Sequence, residues 1–283
     1  MHKRRKQSTG TRKRGNGFLS KSYTGLILAF LYAPMAVMVL FSFNTTASTA
    51  QMSGLSLHWY EELSRNGAAQ QALRNTLALA LLAAAVSVAL GTAAALGIDR
   101  MRRKWARSLL LGVTNLPLMN PEIVTGISMM LLFVFGARLL HLKTALGFWS
   151  LLIAHITFCL PYVILSVLPK LRQTDPHLAE AAQDLGCSPA RAFFKVVLPA
   201  ISNGVFSAFL MAFTISLDDF VVSNFTSGPG FQTLPLYIYA MTKKRVKPDM
   251  YALSSLIFAA IFLLLLLSNL LQVRAEKKQK SKH

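Results

Sequence analysis

The sequence predicts an all-α polytopic membrane protein with six transmembrane helices, and three observations predict it. Of 283 residues, 53% are hydrophobic and only 14% are charged, with a mean hydropathy of +0.45; a soluble domain carries roughly 25% charged residues. The apolar residues are gathered into blocks of about 19 to 25, long enough to cross roughly 30 Å of hydrocarbon as helix. The 30 Lys and Arg lie between those blocks. That placement also disposes of nucleic acid as the reason for a net charge of +19. Basic residues in tails and short loops are topology determinants, not a basic stripe interleaved with stacking aromatics.

The chain divides into a basic N-tail (1–23), a transmembrane domain (24–273, with a core at about 72–271) and a basic C-tail (274–283). The tails are solvated charge near anionic lipid headgroups. Span one covers 24–43 and follows the basic tail without a small-x-small cleavage pattern, so it is expected to be a retained anchor. Span two covers 76–98 and, like spans one and six, has a clean apolar core. Span three, 108–135, is interrupted by Pro117, Asn120 and Pro121 ahead of Glu122. Span four, 144–168, carries Trp149 at its outer end and His155 within. Trp149 reads as an interfacial anchor. His155 reads as a cross-helix hydrogen-bonding group in preference to a proton relay. Span five, 200–225, holds Asp218 and Asp219, and span six covers 251–273. Cys159, in a span, and Cys187, in a loop, form neither a metal-ligand spacing nor a disulfide framework. No cofactor, metal or catalytic residue is expected.

Basic residues set the orientation. The N-tail has eight, the 99–107 loop five, the 169–199 loop four and the C-tail five, giving 22 on one side against eight on the other. Positive-inside then places both termini in the cytoplasm. Lys243, Lys244, Arg245 and Lys247 run against this pattern.

The loop between spans four and five, residues 170–199 (KLRQTDPHLAEAAQDLGCSPARAFFKVVLP), is punctuated as a helix–turn–helix. Asp175-Pro176 supplies an N-cap acceptor followed by a residue that needs no donor. Ala179, Glu180, Ala181 and Ala182 continue a helical run, and Gly186 is placed to end it in a left-handed cap. Ser188-Pro189 opens a second short helix, which Pro199 closes.

Glu180-Ala181-Ala182, three residues, Gly186, nine residues, then Val196-Val197-Leu198-Pro199 resembles the EAA signature of ABC importer permeases of the type I, binding-protein-dependent family. Val196 stands where that signature usually has Ile. The resemblance implies that Glu180, Ala181, Ala182, Gly186, Leu198 and Pro199 form the helix that docks on an ATP-hydrolysing subunit and transmits its closure. No GxxxxGK[ST] loop is present, so the ATPase would be a partner.

Glu122, Asp218 and Asp219 lie in apolar context, and intramembrane acids are costly unless functional. At 1.5 Å per residue, Glu122 stands roughly 21 Å and Asp218 roughly 27 Å from the cytoplasmic ends of their spans. Glu122 has two readings, a cation-binding wall or a packing kink with the acid bonded to a neighbour. Asp218 and Asp219 point about 100° apart on a helix. One would face the path while the other caps a helix end or bonds Ser216 or Ser223. The reading favours Asp219 for the path and leaves the choice open.

Residues 147–163 (GFWSLLIAHITFCLPYV), 216–235 (SLDDFVVSNFTSGPGFQTLP) and 57–60 (LHWY) resemble the second permease subunit of spermidine/putrescine importers, over about residues 24–273. That resemblance implies a polyamine cargo, a second homologous permease, two copies of an ATP-binding subunit and an extracytoplasmic solute-binding protein. The rivals are an ABC permease for ferric iron, thiamine or an opine, and a secondary transporter or channel. A membrane enzyme finds no catalytic pattern to support it.

Overall fold

The computed structural model describes residues 17–46, 51–243, 250–263 and 266. Helices carry the fold, and the one β-bridge among the described residues joins Asn44 to Leu55. Among the described residues, four helices are long and apolar enough to cross a membrane: the Lys21–Ser42 stretch of α1 (Gly17–Ser42), α3 (Gly67–Asp99), α5 (Glu122–Leu139) and α6 (Phe148–Gln173). A bent pair adds a fifth crossing if counted as one span. Between these run α2 (His58–Arg65) and α4 (Lys104–Met119). After α6 come α7 (Leu178–Asp184), α8 (Pro189–Ala192), α9 (Leu198–Ala200), α10 (Ser202–Asp218), α11 (Val221–Thr226) and α12 (Leu234–Thr242). The last described helix, α13 (Met250–Leu263), begins the expected sixth span, of which 264–265 and 267–273 lie outside the described residues. The N-tail, the C-tail and Lys244, Arg245 and Lys247 lie outside them too.

The core is built from α3, α6 and α10. Hydrocarbon gives helices no hydrophobic reason to associate, so close van der Waals approach must hold them together. Small residues permit that approach. Along α10, Gly204, Ala208, Ala212 and Ser216 recur every fourth position and are all buried, one stripe on one face. Along α3 the buried set is Ala69, Ala72, Ala80, Ala83, Ala84, Ser87, Gly91 and Ala95, with few larger members, while Leu77, Leu81, Leu82 and Leu90 on the other face stay exposed. Gly91 touches α6 so closely that a Cβ there would stand 2.5 Å from Val163 Cγ1.

Polar ties fix the ends. At one end Asp99 of α3 meets Arg107 of α4 at 3.3 Å and Arg172 of α6 at 3.7 Å; these half-exposed pairs set register more than stability. At the other, Asn66 caps α3 by accepting from Ala69 N and donates to Tyr237 Oη at 3.0 Å. Leu234 N donates to Thr76 Oγ1 at 2.7 Å, docking α12 on α3. Tyr60 Oη bonds both Ser42 Oγ (2.8 Å) and Ser255 Oγ (2.7 Å), joining α2 to α1 and α13. This is the work of the 57–60 segment.

Three expectations change. Span three is two helices, because Pro121 has no N–H and pushes Asn120 into extended backbone (ψ 143°). Span five is bent by 75° against the preceding elbow and is broken again between α10 and α11. Residues 234–242, expected as outer loop, form α12, a helix too short to span.

Gly91→Val is expected to destabilise the bundle by about 1–3 kcal/mol through overpacking. Gly97→Val, where a Cβ meets nothing within 4 Å, serves as control. Thermal unfolding in detergent checks this, and equal midpoints would contradict the close α3–α6 approach.

Candidate coupling elbow and carboxylate wall

Residues 175–200 form the elbow. Asp175 Oδ1 accepts from His177 N at 2.9 Å, and α7 begins two residues after the expected start, at Leu178. Gly186, at φ +86°, ends it. Cys187 N reaches Ala182 O at 3.1 Å and Gly186 N reaches Gln183 O at 2.8 Å, the paired bonds of a Schellman cap. Ser188 Oγ accepts from Arg191 N, and Pro189 takes the first helical position of α8, as expected. A π-turn at Phe193–Val197 follows, leading into Leu198 and Pro199.

The inner side of this elbow is packed. Ala182, Ala192 and Val197 are buried, and Ala179, Phe193 and Leu198 rest on the main core. The outer side is open: Glu180 and Ala181 are exposed, Leu185 is 87% exposed and Phe194 65%. An apolar tip on a doubly capped, anchored base suits a docking lever, since packed elements move as bodies. Glu180 Oε2 bonds His177 Nδ1 at 3.0 Å. That hydrogen bond, with the charges of Glu180 and Asp175, raises the His177 pKa above its ordinary 6.5.

The acids fall in different places. Asp219 is buried, and its carboxylate accepts from Ser223 N (2.8 Å) and Val222 N (3.3 Å), capping α11. His155 Nε2 lies 3.4 Å from Asp219 Oδ2. Asp219, the residue favoured for the path, has both oxygens committed inward and fills the capping role expected of one of the pair. Asp218, the last residue of α10, is the exposed member of the pair. It borders a cavity of 390 Å³ walled by Phe220, Tyr239, Leu234, Ile238 and Ile257. The Phe220 and Tyr239 rings lie 4.6 Å apart. Glu122, exposed in the first turn of α5, is within electrostatic reach of both Asp218 and Tyr162. Glu122 and Asp218 are thus both exposed and within electrostatic reach of each other, while Asp219 is buried.

Tyr162, Phe220 and Tyr239 were not singled out from sequence. The available signal was aromatic residues close to intramembrane acids, but α12, which carries Tyr239, was itself missed. Lys243 Nζ sits 4.5 Å from the Tyr239 ring centroid. His155 bonds across helices to Ser216 and Ser223, as its cross-helix reading expects. Trp149 is 72% exposed at the start of α6, and Cys159 is buried.

A packed bundle of broken spans with a rigid lever at one end is the architecture of a membrane permease. The comparisons make the class specific: this chain belongs to the family described as binding-protein-dependent transport system inner membrane component, whose model matches residues 87–281. It is thus a permease subunit of the ABC transporter type. Among its relatives is the putrescine transport system permease protein PotI of Escherichia coli (strain K12), 38% identical over 250 residues, covering 88% of this chain and 89% of that one. Another is the spermidine/putrescine transport system permease protein PotC of Haemophilus influenzae, 38% identical over 256 residues, covering 90% and 96%. A solved bacterial ABC transporter involved in the import of alginate shares the fold, with a TM-score of 0.70 over 90% of this chain and 94% of that one, at 15% identity.

Two outcomes are expected of the elbow. Gly186→Val forces a branched side chain into left-handed backbone and should uncouple transport from ATP hydrolysis while leaving membrane insertion intact; unchanged transport contradicts it. The His177–Glu180 contact contributes fully below the ordinary histidine value and is lost as pH rises through the raised one. Histidine-resolved NMR should show His177 titrating lower in Glu180→Gln, and an unmoved titration would rule the contact out.

Proposed function

We propose that this chain is the permease subunit of an ATP-driven polyamine importer in the bacterial inner membrane, with both termini cytoplasmic. Its partners in this reading are a second homologous permease, two copies of an ATP-binding subunit and an extracytoplasmic solute-binding protein. The observation that carries the reading is two exposed carboxylates within electrostatic reach of each other, Glu122 and Asp218, with Asp218 bordering an apolar, aromatic-walled cavity. Polyamines are ammonium groups joined by methylenes, so they need spaced anions and an apolar wall between them. Cation–π contact with Phe220 and Tyr239 suits the same groups. Asp218 also closes α10, whose C-terminal carbonyls add partial negative charge. The names of the two relatives support this cargo over ferric iron, thiamine or an opine.

The working cycle follows from what α10 connects. Its first turn meets the elbow at the 75° bend and its last residue is Asp218, about 24 Å away along the helix. A partner that closes on ATP and displaces the elbow would move α10 as a body, and with it one carboxylate of the wall relative to Glu122 on α5. The cargo site would then face alternate sides in turn. The end bearing Arg100, Arg102, Arg107 and Arg172 is the elbow end, which supports its assignment to the cytoplasm.

In proteoliposomes holding the assembled complex, Glu122→Gln should raise the half-saturation concentration for putrescine uptake by about tenfold, one lost ion contact. Assembly with the ATPase should persist. Full uptake by that variant returns Glu122 to a packing role. Stimulation of ATP hydrolysis by thiamine or ferric iron, and not by polyamines, would replace the cargo assignment, and uptake without ATP would favour a secondary transporter.

A further inference from the structure

The reading above uses Asp218 and leaves unexplained the polar groups buried between α6 and the break in span five. His155 is 2% exposed on α6, in the heart of the core. Its Nδ1 lies 2.7 Å from Ser216 Oγ, on the last turn of α10. Its Nε2 lies 3.0 Å from Ser223 Oγ, on α11, and 3.4 Å from Asp219 Oδ2, in the break itself. One ring therefore holds both sides of the break. Other ties from α6 reach only one side each: Cys159 Sγ to Ala212 O at 3.5 Å, and Ser150 Oγ to Thr226 O at 2.9 Å. Among the described residues, His155 is the one α6 side chain bonded to both.

The sequence needs such a device. Asp218 and Asp219 are chemically alike, and a one-residue slip of the break, or a turn of about 100°, would exchange the buried acid for the exposed one. Caps from Val222 N and Ser223 N fix an aspartate at the start of α11, but they come from the moving segment itself. Contacts from outside that segment set its rotation against the bundle: Ser150 on Thr226 and Gly126 against Phe225 hold α11 alone, so a contact that also reaches Asp219 and α10 is needed to fix the break itself. His155 supplies it, on a helix held to α3 by close packing.

We propose that His155 is a positioning residue for the cargo carboxylate: by stapling Ser216, Asp219 and Ser223 to α6 it turns Asp218 out into the cavity. This rests on the reading of Asp218 as a cargo ligand. The imidazole touches no cargo and acts through the neighbouring aspartate.

The test uses putrescine uptake by the assembled complex in proteoliposomes, with KM and maximal rate measured separately. His155→Ala should raise KM by about tenfold, with a smaller fall in maximal rate. His155→Gln, whose amide can still reach Ser223, should recover part of it. In an Asp218→Asn background, adding His155→Ala should change KM by less than about twofold, because the two act as a unit. An unchanged KM in His155→Ala, or a full tenfold rise on top of Asp218→Asn, overturns the proposal. If Asp218→Asn alone leaves KM unaltered, it is the cargo reading that fails, and a cargo-independent measurement then decides the positioning role. Asp218→Cys in a Cys187→Ser chain should react quickly with a cationic methanethiosulfonate, about tenfold more slowly once His155→Ala releases the staple, and at an intermediate rate with His155→Gln. Equal labelling rates overturn the proposal whatever the cargo.

Discussion

A helix broken inside hydrocarbon must satisfy the backbone groups it frees, because no water is there to do so. The rest of this permease depends on how that is done between α10 and α11. Asp219 accepts from Val222 N and Ser223 N, so the new helix start is capped from within the chain. With the cap in place, α10 can end at Asp218 inside the bundle rather than at its edge. Through its 3.4 Å contact with His155, the break lies roughly 27 Å along α6 from Gln173 and about 10 Å from Phe148. Span three solves a related problem more simply. Pro121 has no N–H to orphan, and Glu122 follows in the first turn of α5, where the helix dipole favours an anion.

The two breaks leave the carboxylates at helix ends, Glu122 at the start of α5 and Asp218 at the close of α10, rather than in helix interiors. Rigidity comes from packing. Gly204, Ala208, Ala212 and Ser216 let α10 seat against the bundle with little side chain between, and a Cβ at Gly204 would stand 2.5 Å from Lys170 Cγ. The elbow is rigid for a local reason, a Schellman cap at Gly186 and a serine cap at Ser188. Elbow, helix and carboxylate thus form one continuous element, with Leu185 and Phe194 exposed at one end and Asp218 at the other, which is what the proposed docking and cargo roles require.

What was legible in the sequence follows from how local its causes are. Gly186, Ser188 and Pro189 announce the elbow because capping is decided within a few residues. The apolar blocks announce the spans because bilayer thickness fixes their length. The choice between Asp218 and Asp219 was not legible, since it turns on His155, more than sixty residues earlier in the chain. Nor was α12, a nine-residue helix held by distant partners, with Leu234 N on Thr76, Tyr237 on Asn66 and an apolar face packed against Leu63, Ala72 and Leu253. Tyr239 went unnoticed with it. Nonlocal contacts decide these features, and no window of sequence contains them.

The account's central claim is that Glu122 and Asp218, and not Asp219, form the cargo wall. Carbodiimide modification of carboxylates in the assembled complex, read residue by residue by mass spectrometry, tests it most directly. The account predicts that Glu122 and Asp218 are modified, that putrescine protects both while 1,4-butanediol protects neither, and that Asp219 stays unmodified throughout. Modification of Asp219 with protection by putrescine, or indifference of Asp218 to putrescine, would contradict it.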